Sequence, residues 1–192
     1  FEHAGFTTLS TYCSQTVDLT QDFRNTAPLI KRFASKGVTL RPISTTEFEQ
    51  DLGAIFQLSL SSFNDNFLYT PISEEAFIAK YLESKKYIDP ELVLMAEYNG
   101  KLIAYLFCIP DFNAQIDGQQ AAIILKTLAS NRNNSHAGIG SLLVSQAHSI
   151  AKNKGYTEAI HALQHEDNAS IKISARYDSS VFRRYGLMMK TY

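Results

Sequence analysis

The feature that most constrains this chain is the stretch from residue 121 to 154, AAIILKTLASNRNNSHAGIGSLLVSQAHSIAKNK. An apolar run of strand length, 121–128, leads into a polar loop, 130–137. Gly138-Ile139-Gly140-Ser141 then opens a segment with apolar residues at 139, 142, 143, 147, 150 and 151, the spacing of one helix face. Lys152, Lys154 and Gly155 form a helix stop, with cations at the negative end of the dipole. The stretch therefore reads as strand, glycine turn, helix. Such a turn leaves backbone N–H groups free at the start of the helix, where they suit an anion. Glycine lets that backbone come close without a Cβ in the way. A dinucleotide-binding turn would need a third glycine and a turn directly after the strand. Here Leu143 stands at the third position and the loop is long. Taken alone, the motif leaves open an ordinary strand–turn–helix with structural glycines.

Composition narrows the class. The 192 residues suit one domain, or one domain plus a fragment. An apolar content of 45% is ample for a core. Eighteen basic against nineteen acidic residues give no basic excess to suggest a nucleic-acid partner. No apolar run approaches a membrane span and the start carries no signal-peptide pattern, so no membrane partner is expected. Cys13 and Cys108 lie far apart in apolar settings and read as reduced residues of a cytoplasmic protein. No Cys/His spacing suggests a metal. The chain begins with Phe1 rather than Met, which reads as a piece of something longer.

Residues 7–19, rich in Thr, Tyr and Val, suit strands, and a short helix starts near Pro28 and stops at Gly37. A strand follows at 38–43. Thr45 or Thr46 can cap a helix whose stripe is Leu52, Ile55, Phe56 and Phe63, broken by Asn64-Asp65-Asn66. Ser73 caps a second helix running to about Tyr87. Residues 92–98 and 101–109 flank Asn99-Gly100, the strongest short hairpin signal a sequence offers. A polar loop, 111–120, precedes the strand 121–129. After the central helix come a strand at 156–165, a helix from Asn168 to about Tyr177 and a last strand at 181–190. Phe1, Gly5 and Phe6 recur in spacing as Phe182, Gly186 and Leu187, a faint internal echo.

Thr127-Leu128-Ala129-Ser130, a spacer and Gly138-Ile139-Gly140-Ser141-Leu142-Leu143 together resemble the coenzyme A motif of the GNAT N-acetyltransferases. Three positions depart from it. Ser135 stands where Arg or Gln is usual, His136 where Gly is common and Arg132 where Pro is common. Backbone contacts do not depend on those letters. The order β-α-α-β-β-β-α-β-α-β over 38–190 resembles the whole GNAT core, including an Arg41-Pro42-Ile43 opening. The resemblance implies an α/β (α+β) acyl-CoA N-acyltransferase fold: a mixed central sheet with an antiparallel meander, strands splayed at the coenzyme cleft, and helices on both faces. It also implies two parts. Residues 38–192 would be the acetyltransferase domain. Residues 1–37 would hold N-terminal strands and a short helix, with residues 1 to about 24 expected to be the tail of a preceding GNAT domain, because Phe1–Phe6 resembles the end of one. The alternative is that residues 1–24 are a strand and linker of this same domain.

The activity implied is transfer of an acetyl (acyl) group from acetyl-CoA to a primary amine in one ternary-complex step. The acceptor would be a small molecule or peptide, and the protomer could act within a homodimer. The pyrophosphate would lie on Ser135, His136, Ala137, Gly138, Ile139, Gly140 and Ser141. The pantetheine would run along Leu128, Ala129 and Ser130, with Asn168 at the facing helix. A backbone N–H near Leu128 would meet the thioester oxygen. Candidates for proton transfer are His165 and Glu166, at the end of the strand lining the cleft, and Tyr177, because Ala175 stands at the family's usual tyrosine position. His161 shares a face with His165 and is expected to pack. His3 and His148 read as surface positions, and Arg183-Arg184 as a solvated strand edge. Phe67 and Tyr69 are candidate walls of the acceptor pocket. The competing reading is a non-catalytic acyl-CoA-binding or regulatory module of a tandem protein, suggested by the missing tyrosine and the substituted Ser135.

Overall fold

The computed structural model describes residues 1–23, 25–116, 118–131 and 136–191. The strands are β1 (Thr7–Asp18), β2 (Val38–Pro42), β3 (Val93–Tyr98), β4 (Lys101–Pro110), β5 (Gln115–Ile116), β6 (Gln119–Gln120), β7 (Ala122–Ser130), β8 (Glu158–His165) and β9 (Ser180–Met189). The helices are α1 (Ala27–Ala34), α2 (Phe48–Phe63), α3 (Glu74–Ser84), α4 (Ile139–Asn153) and α5 (Ser170–Ser174). Seven strands form one sheet in the order β2-β3-β4-β7-β8-β1-β9. Every neighbouring pair is antiparallel except β7 and β8, which run parallel with α4 as their crossover.

Local chemistry explains most of these elements. Asn99 and Gly100 both take positive φ, 50° and 70°, which the tight β3–β4 turn requires. Ser73 accepts a hydrogen bond from Ala76 N at 3.2 Å and starts α3. The start of α2 differs from the expected threonine cap. Glu47 N donates to the Ser44 hydroxyl at 2.9 Å, and Ser44 N donates to Asp51 at 2.7 Å, so the first turn is delayed to Phe48. Asp51 is buried, and burial alone would raise its carboxyl. Arg41, in a two-pronged contact at 2.6 and 2.7 Å, and Ser44 N hold it below its ordinary value instead. The expected polar loop at 111–120 contains the short β5–β6 hairpin.

Two cores lie on opposite faces of the sheet. One joins Leu106, Ile123 and Leu125 to Leu142, Leu143, Ala147 and Ala151 of α4. The other joins Met95, Tyr105 and Phe107 to Leu52, Ile55 and Leu58 of α2. Both helical stripes were legible as periodicity.

β1 is an interior strand of this sheet. It pairs with β8 from Tyr12↔His165 to Asp18↔Glu158 and with β9 from Thr7↔Met189 to Thr16↔Ser180. Among the described residues, β1 is the only strand that pairs with β9. A chain starting at residue 25 should therefore lose cooperative unfolding, because β9 is stranded, the β8 edge is laid open and the buried Cys13, Val17 and Leu19 are lost from the core. Thermal melting by circular dichroism checks this: a melting curve matching the full chain's would contradict it.

Candidate active site

The parallel ladder of β7 and β8 ends at Leu125↔His161. Both strands are irregular at that level. On β7 the register with β4 shifts so that Lys126 is the extra residue, since Cys108 pairs with Leu125 and Phe107 with Thr127. On β8 the register with β1 passes from Gln15↔His161 to Cys13↔Gln164, and Leu163 takes a φ of 48°. Bulges bend a strand and stop pairing. Two of them facing each other open a cleft of about 200 Å³, lined by Lys126, Leu128, His161, Gln164, Asn168 and Ser174, among others. The β7 backbone beyond Leu125 has β4 on one side and this cleft on the other. Asn131 N–H donates to Ile103 O at 2.8 Å on the β4 side. By alternation, Ala129 and Thr127 face β4 too, and the Leu128 amide faces the cleft.

Next to the cleft, α4 begins without a side-chain cap. Gly138 is left-handed (φ 94°), and the first helical bond runs from Leu142 N to Gly138 O at 3.1 Å. The amides of Ile139, Gly140 and Ser141 precede it and bond to no carbonyl one turn back among the described residues. Gly140 lies tight against the cleft wall, where a Cβ would come 3.3 Å from Leu128 Cδ2 and 3.5 Å from Ile173 Cδ1. Two arginines that the sequence reading missed flank this turn. Arg32 of α1 donates to Ala137 O at 2.8 Å, and Arg176 donates to the Ser141 hydroxyl at 2.9 Å. Neither belongs to a local motif, so no spacing rule could have found them. The residues fit an elongated phosphate-bearing donor: a glycine turn whose amides bond to no carbonyl among the described residues, two cations, and a strand edge running inward that lacks a strand partner, with Ser130 O accepting from the Ser62 hydroxyl at 3.3 Å. Ser135 lies outside the described residues. His136 is buried with its ring 5.0 Å from that of Tyr98.

The other expected site residues separate. Asn168 lines the cleft, and its side-chain oxygen caps α5 by accepting from Ser170 N at 2.9 Å. His165 lies at the cleft's mouth, a recess of about 310 Å³ also lined by Asp65, Phe67 and Asp167. Its ring packs edge-on against Tyr12, and its Nδ1 accepts from Asp167 N at 3.1 Å. Glu166 is turned away, bonded to the Thr11 hydroxyl at 2.7 Å and to Arg184 at 2.9 Å. Tyr69 stands back against Phe63, ring centroids 6.4 Å apart. Tyr177 lines a separate cavity of about 770 Å³ with Ser141, Ser145 and Arg176. Burial pushes its phenol up, partly offset by a hydrogen bond with Ser145. His3 is exposed, as expected.

His148 is not a surface residue. It is fully buried, because α4 is covered by the sheet on one side and by Phe23 and Tyr177 on another. It ends a hydrogen-bonded chain behind the cleft wall. Gln15 Nε2 donates to Gln164 Oε1 at 3.1 Å, and Gln164 Nε2 donates to Ser174 Oγ at 3.0 Å. Ser174 Oγ lies 2.6 Å from His161 Nδ1, and His161 Nε2 lies 3.0 Å from His148 Nε2. Ser174 Oγ also lies within donating distance of Gln164 Oε1 at 3.3 Å and Ser170 O at 3.2 Å, so the chain can run in either direction, with one proton shared between the two Nε2 atoms. His148 Nδ1 has no hydrogen-bond partner among the described residues. Desolvation holds both imidazoles neutral: His148 is pushed down to about 3, with His161's charge adding to the effect, and His161 to about 4. Their ordinary value is 6.5, so below that pH the unfolded chain binds more protons than the folded one. Stability is therefore whole above pH 6.5 and falls on acidification toward pH 4, at about 1.4 kcal/mol per pH unit for each histidine. Melting temperature measured over that range should drop steadily. The drop should be shallower in His148→Phe; an identical slope would contradict the assignment.

The family model described as Acetyltransferase (GNAT) family matches residues 54–174, more than half of the chain. A search of the curated proteins found no match in sequence. Among solved structures, a GCN5-related N-acetyltransferase from Sphaerobacter thermophilus is similar over 97% of this chain and 53% of its own, at 17% identity and a TM-score of 0.68. A GCN5-related glucosamine N-acetyltransferase region of a fungal multi-domain GH3 beta-N-acetylglucosaminidase is similar over 98% of this chain and 22% of its own, at 14% identity and 0.68. L-PGS from Bacillus licheniformis is similar over 99% and 64%, at 14% and 0.60. The chain thus spans less than two thirds of each, and at these identities the likeness concerns the fold.

Proposed function

The chain belongs to the GNAT acetyltransferase family, and on that premise we propose that it transfers an acyl group from acyl-coenzyme A to a primary amine in one step. The observation that carries this is the alignment of three backbone features: the uncapped start of α4, the Leu128 amide and the unpaired β7 edge between them. In this reading the amides of Ile139, Gly140 and Ser141 hold the pyrophosphate, with Arg32 and Arg176 as cationic neighbours. The pantetheine arm pairs with the β7 edge as an added strand. The Leu128 N–H meets the thioester oxygen, where one such donor is worth ~3 kcal/mol as negative charge develops.

The amine enters by the mouth, where Asp65 and Asp167 favour a cation. Its nitrogen bonds to the thioester carbon as the carbon–sulfur bond breaks. The entering ammonium gives one proton to solvent in the mouth, and the neutral amine's next proton passes on attack to His165, whose Nδ1 exchanges the Asp167 amide for it. The sulfur leaves as thiolate. Among the described residues no tyrosine lines the cleft. A thiol of ordinary pKa near 8.5 leaves without a strong acid, and solvent in the mouth supplies its proton. The same lack of a tyrosine favours the second reading, a module that binds acyl-CoA without turnover. Binding without thiol release is its signature.

Calorimetric titration with coenzyme A tests the donor site. Binding should be measurable, and Arg176→Ala should weaken it roughly tenfold while leaving the fold intact. No binding at millimolar coenzyme would remove the proposal. With an amine that supports thiol release, His165→Ala should lower the rate ~10²-fold. Glu166→Gln should leave it within about twofold, because that carboxylate is tied to Thr11 and Arg184 outside the cleft. The reverse ranking would reassign the base.

A further inference from the structure

The Lys126 bulge borders two cavities. On the α2–α3 face of the sheet, Lys126 also lines a groove of about 600 Å³. Its walls are Tyr81, Tyr87, Ile88, Phe107, Ile109 and Phe112. Tyr81 packs on Phe107 at 5.2 Å, and Tyr87 on Phe112 at 5.9 Å. The Lys126 ammonium is drawn to one side, 3.3 Å from the Tyr81 hydroxyl and 5.4 Å from the centre of its ring. Its methylene stem is left as the border between cleft and groove. Phe107 pairs directly with Thr127, one residue past the bulge, so the groove begins beside the inner end of the cleft.

The three openings differ in chemistry. The start of α4 offers amides and arginines, which suit phosphates. The mouth carries Asp65 and Asp167, which suit an ammonium. The groove carries two lysines, Lys80 and Lys126, and no acidic side chain among its described lining. A cationic amine is repelled there, and a neutral apolar chain is not. We propose that the groove receives the acyl chain of the donor, and that this chain binds apolar acyl groups of about six to eight carbons more tightly than acetyl. The inference rests on the coenzyme reading given above and deepens it. An acyl group whose carbonyl meets Leu128 and whose tail passes the Lys126 stem enters the aromatic groove, while the amine still reaches the carbonyl from the mouth. Each methylene moved from water onto such walls strengthens binding about threefold to fourfold.

Calorimetric titration of the full chain with coenzyme A, acetyl-, hexanoyl- and succinyl-coenzyme A tests this without knowledge of the acceptor. Hexanoyl-coenzyme A should bind at least tenfold more tightly than acetyl-coenzyme A. Ser84→Phe, at the half-buried end of α3, blocks the groove and should remove that preference while leaving affinity for coenzyme A itself unchanged. Phe112→Ala, on an exposed loop, should reduce the preference severalfold. Equal affinity for acetyl and hexanoyl donors would overturn the inference and leave the coenzyme reading standing. So would a preference for succinyl over hexanoyl, which would make the lysines rather than the aromatic walls the recognition element. Failure of coenzyme A itself to bind would overturn both.

Discussion

Parallel pairing between β7 and β8 stops after Leu125 and His161 because each strand carries a bulge at that level. Had the ladder continued, the amides of Leu128 and its neighbours would be spent on β8, and the sheet would be closed. With the ladder interrupted, one interior strand of a seven-stranded sheet keeps an edge. An unpaired edge inside a protein is costly unless something completes it. That cost is the physical argument for an extended ligand. The start of α4 lies at the outer end of the same edge and presents amides that its own helix cannot use.

The wall opposite β7 is held by polar side chains rather than by apolar packing. Gln15, Gln164, Ser174, His161 and His148 form one hydrogen-bonded chain across β1, β8, α5 and α4. Its last group, His148, packs against the rings of Phe23 and Tyr177, with no hydrogen-bond partner at Nδ1 among the described residues. A network satisfied along its length fixes one arrangement of its members. Ser174 and Gln164 thereby set the shape of the cleft, and keeping both imidazoles neutral ties that shape to pH.

Features encoded within a few residues were legible in the sequence. Examples are the Asn99-Gly100 turn, the Ser73 cap, the α2 and α4 stripes and the glycine turn before α4. Features that need partners distant in the chain were not. Nothing in residues 7–18 says that they lie between β8 and β9, because pairing across about 150 residues leaves no local mark. Arg32 and Arg176 reach the turn from other elements. The bulges at Lys126 and Leu163 carry neither glycine nor proline. His148 was misplaced because a histidine on a helix reads as polar until the helix is covered on a second side. His165 and Glu166, adjacent in sequence, point to different places, since successive residues at a strand end face opposite ways.

The central claim is that the amides of Leu128, Ile139, Gly140 and Ser141 are completed by a bound coenzyme. Amide hydrogen exchange, followed residue by residue by NMR with and without coenzyme A, tests it most directly. Protection at these four positions, with little change at amides of β3 or β9, is the predicted result. Unchanged exchange at all four while coenzyme A is bound elsewhere would contradict the account.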